Sequence, residues 1–432
     1  MISQTIRIVQ CVVPSPVMPV RGWTPESSGG ARGVIGATDV GEDLRRQSST
    51  GDRAAALTGL RAVAALMIVG THAAYGTGQL SHGFIGALYA RLEIGVPIFF
   101  VLSGFLLFRP WVRAAASGTR HPLVGRYARR RMRRIAPAYV VTVLVAYLIY
   151  EFRDAGPNPG HTWMGLLEHL TLTQIYPPVY FFVMHQGLTQ TWSLAVEFAF
   201  YAALPLMAAL LLRVLCKGAW RPGLLLAGLA GLAALTPAWL WLQSATDWLP
   251  SSAGMWLPAH LLYFVCGMAL AVLQVVGLRV RPIVAGALAV LSYLLASTPI
   301  AGNVNVGETL GQTFVKVALY ATFASAVVTP LVLDGGNGYA RLLSAAPIVW
   351  LGEISYEVFL LHVIVMEVAS ASVLQWRVFT GSMPVLFAVT LVMTAPLAWL
   401  LHRWTWARLL PRAASVENHP IRSTHLPGDK TI

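Results

Sequence analysis

Charge is scarce in this 432-residue chain: 11% of residues are Asp, Glu, Lys or Arg, against 56% that are hydrophobic. A soluble protein of this length needs a far more charged surface, so a purely water-exposed globular assembly is excluded. Acid is scarcer than base, 18 residues against 31, which leaves a net charge of +13. Such an excess also suits a nucleic-acid binder, but here the Arg residues sit beside long apolar blocks, which is the membrane pattern; no nucleic acid is expected as a partner. Cysteine is nearly absent: Cys11, Cys216 and Cys266 lie far apart. They form neither a metal spacing nor a disulfide framework and are expected as free thiols. No metal-ligand cluster and no nucleotide-cradling glycine loop occurs. The first 52 residues lack the basic-then-apolar layout of a secretory signal. Polar and rich in Pro, Gly and Ser, they are expected to be a disordered cytoplasmic tail. Residues 411–432 are expected to be a second polar tail. Residues 53–410 read as one transmembrane domain.

What the chain has in abundance is long apolar runs. Crossing about 30 Å of hydrocarbon takes roughly 20 such residues as a helix. About ten candidates appear, near 57–75, 94–112, 135–150, 191–213, 223–243, 256–278, 282–300, 310–333, 347–370 and 384–405. The fold class is therefore all-α and polytopic. Nine Arg and no acid fall between Arg109 and Arg134, so this connector is expected on the cytoplasmic side. Counting spans outward puts Lys217 and Arg221, Arg279 and Arg281, and Arg341 on that same side, with both termini inside a cell membrane. The opposite connector, Glu151 to Gln190, is unusually long for a structureless link. Its residues 163–183 are apolar enough to lie on the membrane or re-enter it, as a lid or acceptor platform, or to pack as an amphipathic connector.

Ionisable residues inside spans are expensive and by default face an interior cavity. Arg61 and His72 sit on the first span, eleven residues apart, which places them about 20° apart on one helix face and about 16 Å apart along it. Arg61 also suits a snorkelling anchor at the cytoplasmic surface; His72 lacks the reach to snorkel. Ser103-Gly104 in the second span is a motif that often means only close helix packing. In the basic connector, Arg131 and Arg134 project together at i,i+3, a pairing suited to phosphate. Trp192 opens the fourth span, where Ser193, Glu197 and Tyr201 follow i,i+4,i+8 as one polar stripe. Glu197 and His72 come out at similar depth, so a His–carboxylate pair acting as general base toward a hydroxyl is expected. In the ninth span Ser355 and His362 share a face, while Lys316 in the eighth is placed to snorkel outward.

Five segments occur in one order: LTGLRAVAALMIVGTH at 57–72, GVPIFFVLSGFLL at 95–107, RRMRRIAPAY at 130–139, TWSLAVEFAFY at 191–201 and LGEISYEVFLLH at 351–362. With them the chain resembles the acyltransferase-3 family of integral membrane O-acyltransferases, over about 57 to 405. The resemblance implies a ten-helix domain that moves an acyl group, often acetyl, from cytoplasmic acyl-coenzyme A. The acceptor it implies is usually a sugar hydroxyl of a surface glycan, a glycolipid or an antibiotic. Acyl-CoA is then a co-substrate, and no tightly bound cofactor is expected. It implies a catalytic His72, with Glu197 as the acid of the Trp-Ser-Leu-x-x-Glu element. Donor handling falls to Arg61, Arg131, Arg134, Ser103 and Gly104. Trp192, Ser193, Tyr201, Ser355 and His362 remain further candidates. Thr58 and Pro97 depart from the pattern, standing where acids are common. A membrane transporter of a lipid or organic anion is the alternative; no repeat relates the two halves of the chain, which weighs against it.

Overall fold

The computed structural model describes residues 37–153, 156–177, 184–303, 307–334 and 336–409, with only the backbone path for 37–50, 52 and 406–409. Residues 1–46 form a unit of their own; the expected tail at 1–52 falls mostly outside the described residues, and from Ala37 the chain is helical. The tail at 411–432 lies outside them altogether. Everything below concerns the unit that begins at Gln47.

The described residues are helical and contain no strand. α1 (Ala37–Gly76), α2 (Gly83–Ala90), α3 (Gly95–Ser117) and α4 (Val124–Glu151) make the first spans. α5 (Trp163–Leu170) lies in the long connector. α6 (Trp192–Ala208), α7 (Pro222–Ala233), α8 (Leu235–Ala245) and α9 (Leu257–Val276) follow. α10 (Pro282–Ala296), α11 (Leu310–Val332), α12 (Gly338–Leu343), α13 (Ala346–Glu353), α14 (Ser355–Val368) and α15 (Met383–Leu409) complete the order. Nine helical stretches among the described residues are long and apolar enough to cross a membrane, and α10 is a tenth apolar helix of only 15 residues. The protein is thus an all-α polytopic membrane protein.

The structure differs from the sequence expectation, or adds to it, at four places. The third span starts far earlier, because α4 runs unbroken for 28 residues from Val124 and makes most of the Arg-rich connector helical. Apolarity ends at the membrane surface, whereas good helix formers such as Arg continue the helix beyond it. The ninth span does not begin at 347: the chain breaks at Ile354, and the crossing helix runs from Ser355 to Val373. The break is fixed by close packing, since a Cβ at Gly352 would stand 2.0 Å from the Thr58 carbonyl oxygen. Lys316 does not need to snorkel, because Glu308 meets it at 2.6 Å. The long connector is also partly ordered: α5 is N-capped by the Thr162 hydroxyl and buries Gly165 and His169 while Trp163, Met164 and Leu167 face outward. That surface is apolar on a helix lying outside the spans.

The core is built around α3 and α9. Glycines let the two backbones touch: a Cβ on Gly104 would lie 2.0 Å from the Phe264 carbonyl oxygen, and one on Gly267 would lie 2.0 Å from that of Val101. Such small-residue contacts drive helix association where lipid removes the hydrophobic incentive. Phe264 then stacks between Phe100 at 4.4 Å and Phe200 of α6 at 4.1 Å. This stack locks α3, α6 and α9 together and leaves an open space on the side facing α1, α4 and α14.

Candidate active site

That space is a half-open cavity of about 100 Å³. Arg61 of α1, Arg131 and Arg134 of α4, Ser103 of α3, Ser193, Glu197 and Tyr201 of α6, and Ser355 of α14 all line it. Five helices therefore converge the polar residues that the sequence pattern singled out. Arg134 is exposed, while Arg61 and Arg131 are half-buried, so the cavity opens at the Arg-rich end. None of these three arginines forms an ion pair among the described residues, and the Nε of Arg131 is buried with no hydrogen-bond partner there. Three guanidinium groups around a cavity that holds one carboxylate, Glu197, leave an excess of positive charge suited to an anion.

Glu197 carries a different load from the one expected. Its Oε1 accepts hydrogen bonds from the hydroxyls of Ser103 and Tyr201, and it does not touch His72. Equal depth on two helices does not make two residues neighbours; that also depends on how each helix is rotated. The Tyr201 carbonyl in turn accepts from Tyr127 of α4 at 3.2 Å. The Glu197 carboxylate thereby ties α3 to α6, and the Tyr201 carbonyl ties α6 to α4.

His72 pairs instead with His362 of α14. Its Nδ1 lies 2.8 Å from His362 Nε2, and the rings stack with centroids 5.0 Å apart. His362 is fully buried. Its Nδ1 faces the carbonyl oxygens of Phe359 at 2.7 Å and Val358 at 3.1 Å. Carbonyls only accept, so Nδ1 of His362 carries the proton, and in the neutral ring its Nε2 is then a bare acceptor. His72 then donates from Nδ1, which leaves the lone pair on its Nε2 free. The backbone of α14 thus dictates, through one ring, the tautomer of another. Ile68 and Phe359 line the cavity one turn short of the two histidines, so the pair sits just past the cavity's inner end, away from the arginines.

Three predicted site residues take other places. Gly104 is absent from the cavity wall and serves the α3–α9 contact described above. Trp192 rests its ring 5.1 Å from His260. Ser355 lines the cavity but spends its hydroxyl on the Gly352 carbonyl at 2.7 Å, restarting the chain after the break. Tyr356, which no sequence argument singled out, lines the cavity and donates to the Ile135 carbonyl at 3.0 Å. Its place beside Ser355, at the start of the i,i+4 face that ends in Phe359, was the available signal.

The site is a basic, half-open cavity inside a helical membrane domain, with a tautomer-locked histidine pair just past its inner end. The profile of an acyltransferase domain matches residues 54–403, and the chain belongs to this acyltransferase-3 family of membrane O-acyltransferases. Acyltransferase MdmB of Streptomyces mycarofaciens is 30% identical over 339 residues, 73% of this chain and 79% of that protein. Peptidoglycan O-acetyltransferase OatA of Listeria monocytogenes is 24% identical over 333 residues, 71% of this chain. The aligned part makes up 48% of OatA, so the chain spans about half of that relative. No solved structure matches. Family membership settles the class left open by the sequence: the protein is an acyltransferase and not a carrier.

Proposed function

We propose that the protein moves a small acyl group, acetyl foremost, from cytoplasmic acyl-CoA to a hydroxyl of a cell-envelope carbohydrate or glycolipid. The observation that carries this reading is the arrangement of the cavity: unpaired Arg61, Arg131 and Arg134 at one end and His72 beyond the other. The arginines take phosphate of the donor, and the pantetheine arm points its thioester along the cavity toward the histidine pair. His72 Nε2 accepts the proton of the acceptor hydroxyl as the oxygen attacks the thioester carbonyl. The C–S bond breaks, the acyl group is now an ester of the acceptor, and the proton held on His72 passes to the departing thiolate. General base assistance of this kind is worth about 10²–10⁴-fold. His362 holds the His72 ring and tautomer throughout, and Glu197 keeps Ser103 and Tyr201 in one arrangement before the donor arrives. One relative supports an ester product, carrying the name peptidoglycan O-acetyltransferase.

The test uses purified protein in lipid, radiolabelled acetyl-CoA and an envelope extract, with His72→Ala beside the wild type. Label entering a glycan or glycolipid only with the wild type, with one free thiol released per group transferred, is the expected outcome. Label retained at wild-type level by His72→Ala would overturn the assignment of the base.

A further inference from the structure

The cavity arginines are not the only unpaired cations at their end of the molecule. Arg53 lies eight residues before Arg61 on α1, about 12 Å further out along the axis. On α3, Ser103 and Leu106 line the cavity, and Arg109 follows six residues after Ser103, about 9 Å beyond it. Arg109 interacts electrostatically with both Arg53 and Arg113. Its guanidinium also stands 5.7 Å over the Phe105 ring, which fixes its direction. The Nε atoms of Arg53 and Arg109 are buried with no hydrogen-bond partner among the described residues. None of the three arginines forms an ion pair there, and Glu93 is the only acid between residues 53 and 134. Glu93 is engaged elsewhere, by Tyr320 at 2.7 Å. Like charges held together with buried donors left empty are costly, and an anion resolves both costs at once.

We infer that Arg53, Arg109 and Arg113 form a second phosphate subsite, which takes the 3′-phosphate of the same acyl-CoA whose diphosphate lies at Arg61, Arg131 and Arg134. This rests on the donor reading above. The donor class carries phosphate at two separate places, and the protein carries unpaired arginines at two separate places along the same two helices. A phosphomonoester has the charge and the oxygens to engage three guanidinium groups at once. The subsite makes the enzyme discriminate for the complete nucleotide handle of the donor, and not for its pantetheine arm alone.

The experiment compares binding of CoA and of 3′-dephospho-CoA to the full-length protein in nanodiscs. One set of discs holds only phosphatidylcholine, and a second contains phosphatidylglycerol. The wild type is expected to bind CoA at least tenfold more tightly than 3′-dephospho-CoA in both lipids. In Arg109→Gln, and in Arg113→Gln at an exposed position where folding is not at stake, the preference is expected to fall toward one because CoA binding weakens while 3′-dephospho-CoA binding is kept. Equal binding of both compounds by the wild type overturns the subsite, as does an equal loss for both compounds in the variants. A preference that appears only with phosphatidylglycerol assigns these arginines to lipid headgroups and also overturns it. Failure of the wild type to bind either compound brings down the donor reading itself, a result distinct from the others.

Discussion

At the scale of single residues, the proposed mechanism rests on two imidazoles and one rule of hydrogen bonding. Because the carbonyls of Phe359 and Val358 can only accept, His362 is a positioning residue whose loss frees the His72 ring and its tautomer. His362→Ala is expected to lower kcat about 10²-fold, at the weak end of what a general base supplies, with the KM for donor changed less than twofold. His362→Gln, which offers an amide oxygen to the His72 N–H, is expected to restore part of the rate. Steady-state kinetics on both variants checks this, and a rise in donor KM would place His362 in the donor site instead. Half of this pair was legible in the sequence: the eleven-residue step from Arg61 to His72 placed both on one face of one helix. The pair itself was not, because 290 residues separate its members. Depth estimates fix height along a helix but leave its rotation open, which is also why Glu197 was expected beside His72 and instead holds Ser103 and Tyr201.

At the scale of elements, close approach decides more than polarity does. Gly104 lies in a motif that also reads as a donor contact, and the structure gives it to the α3–α9 seam. Replacing it with Leu is expected to abolish recovery of folded protein, and with Ala to lower the thermal midpoint in detergent. Overpacking of this kind costs about 1–3 kcal/mol where backbone can shift slightly. Size-exclusion profiles and melting curves check both. The extent of α4 and the break at Ile354 were hidden for related reasons. Hydropathy reports where lipid begins, not where a helix does, and Gly352 betrays a break only when the facing Thr58 is known.

The connector around α5 makes its own prediction. His185 is fully buried, and burial, followed by the neighbouring His169 and His161, holds its pKa down to about 3 from 6.5. Burial lowers that of His169 as well, with the hydrogen bond to the Gly165 carbonyl opposing. His161 faces His185 at 3.1 Å and Glu151 at 3.0 Å, Tyr147 stacks on His161, and Tyr150 meets His185 edge-on. Both buried rings stay neutral while the unfolded connector binds protons. The local stability is therefore whole above about pH 6.5 and drains away as the pH falls toward 3. Protection factors over residues 156–177, corrected for the intrinsic exchange rate at each pH, should fall between pH 6.5 and 5, and His185→Phe should flatten much of that dependence.

At the scale of the whole molecule, the distribution of Arg fixes the expected orientation. Cysteines introduced singly at Arg120 and at Trp163 should react oppositely with an impermeant maleimide in intact cells: Trp163→Cys labelled, Arg120→Cys protected until the membrane is opened. The reverse pattern would place the open end of the cavity on the outer face and overturn the proposed cytoplasmic donor. Ten apolar runs, their order and the basic end were all readable from composition along the chain. The convergence of five helices on one cavity was not, because it depends on which helix touches which.

The crossing helices also differ sharply in how much of them the protein covers. In the stretch that contains α3, 67% of the apolar window is buried, while in the one formed by α7 and α8 only 17% is. The consequence is a gradient of freedom to drift. On the uncovered faces of α7 and α8, Leu, Ile, Val, Ala and Phe are expected to be nearly interchangeable and only charge to be refused. Along α3 size itself is read, one methyl group at a time, by the backbone opposite. A library of all single substitutions, scored by growth or by label transfer, would therefore separate into two alphabets: one that distinguishes greasy from wet, and one that distinguishes glycine from alanine.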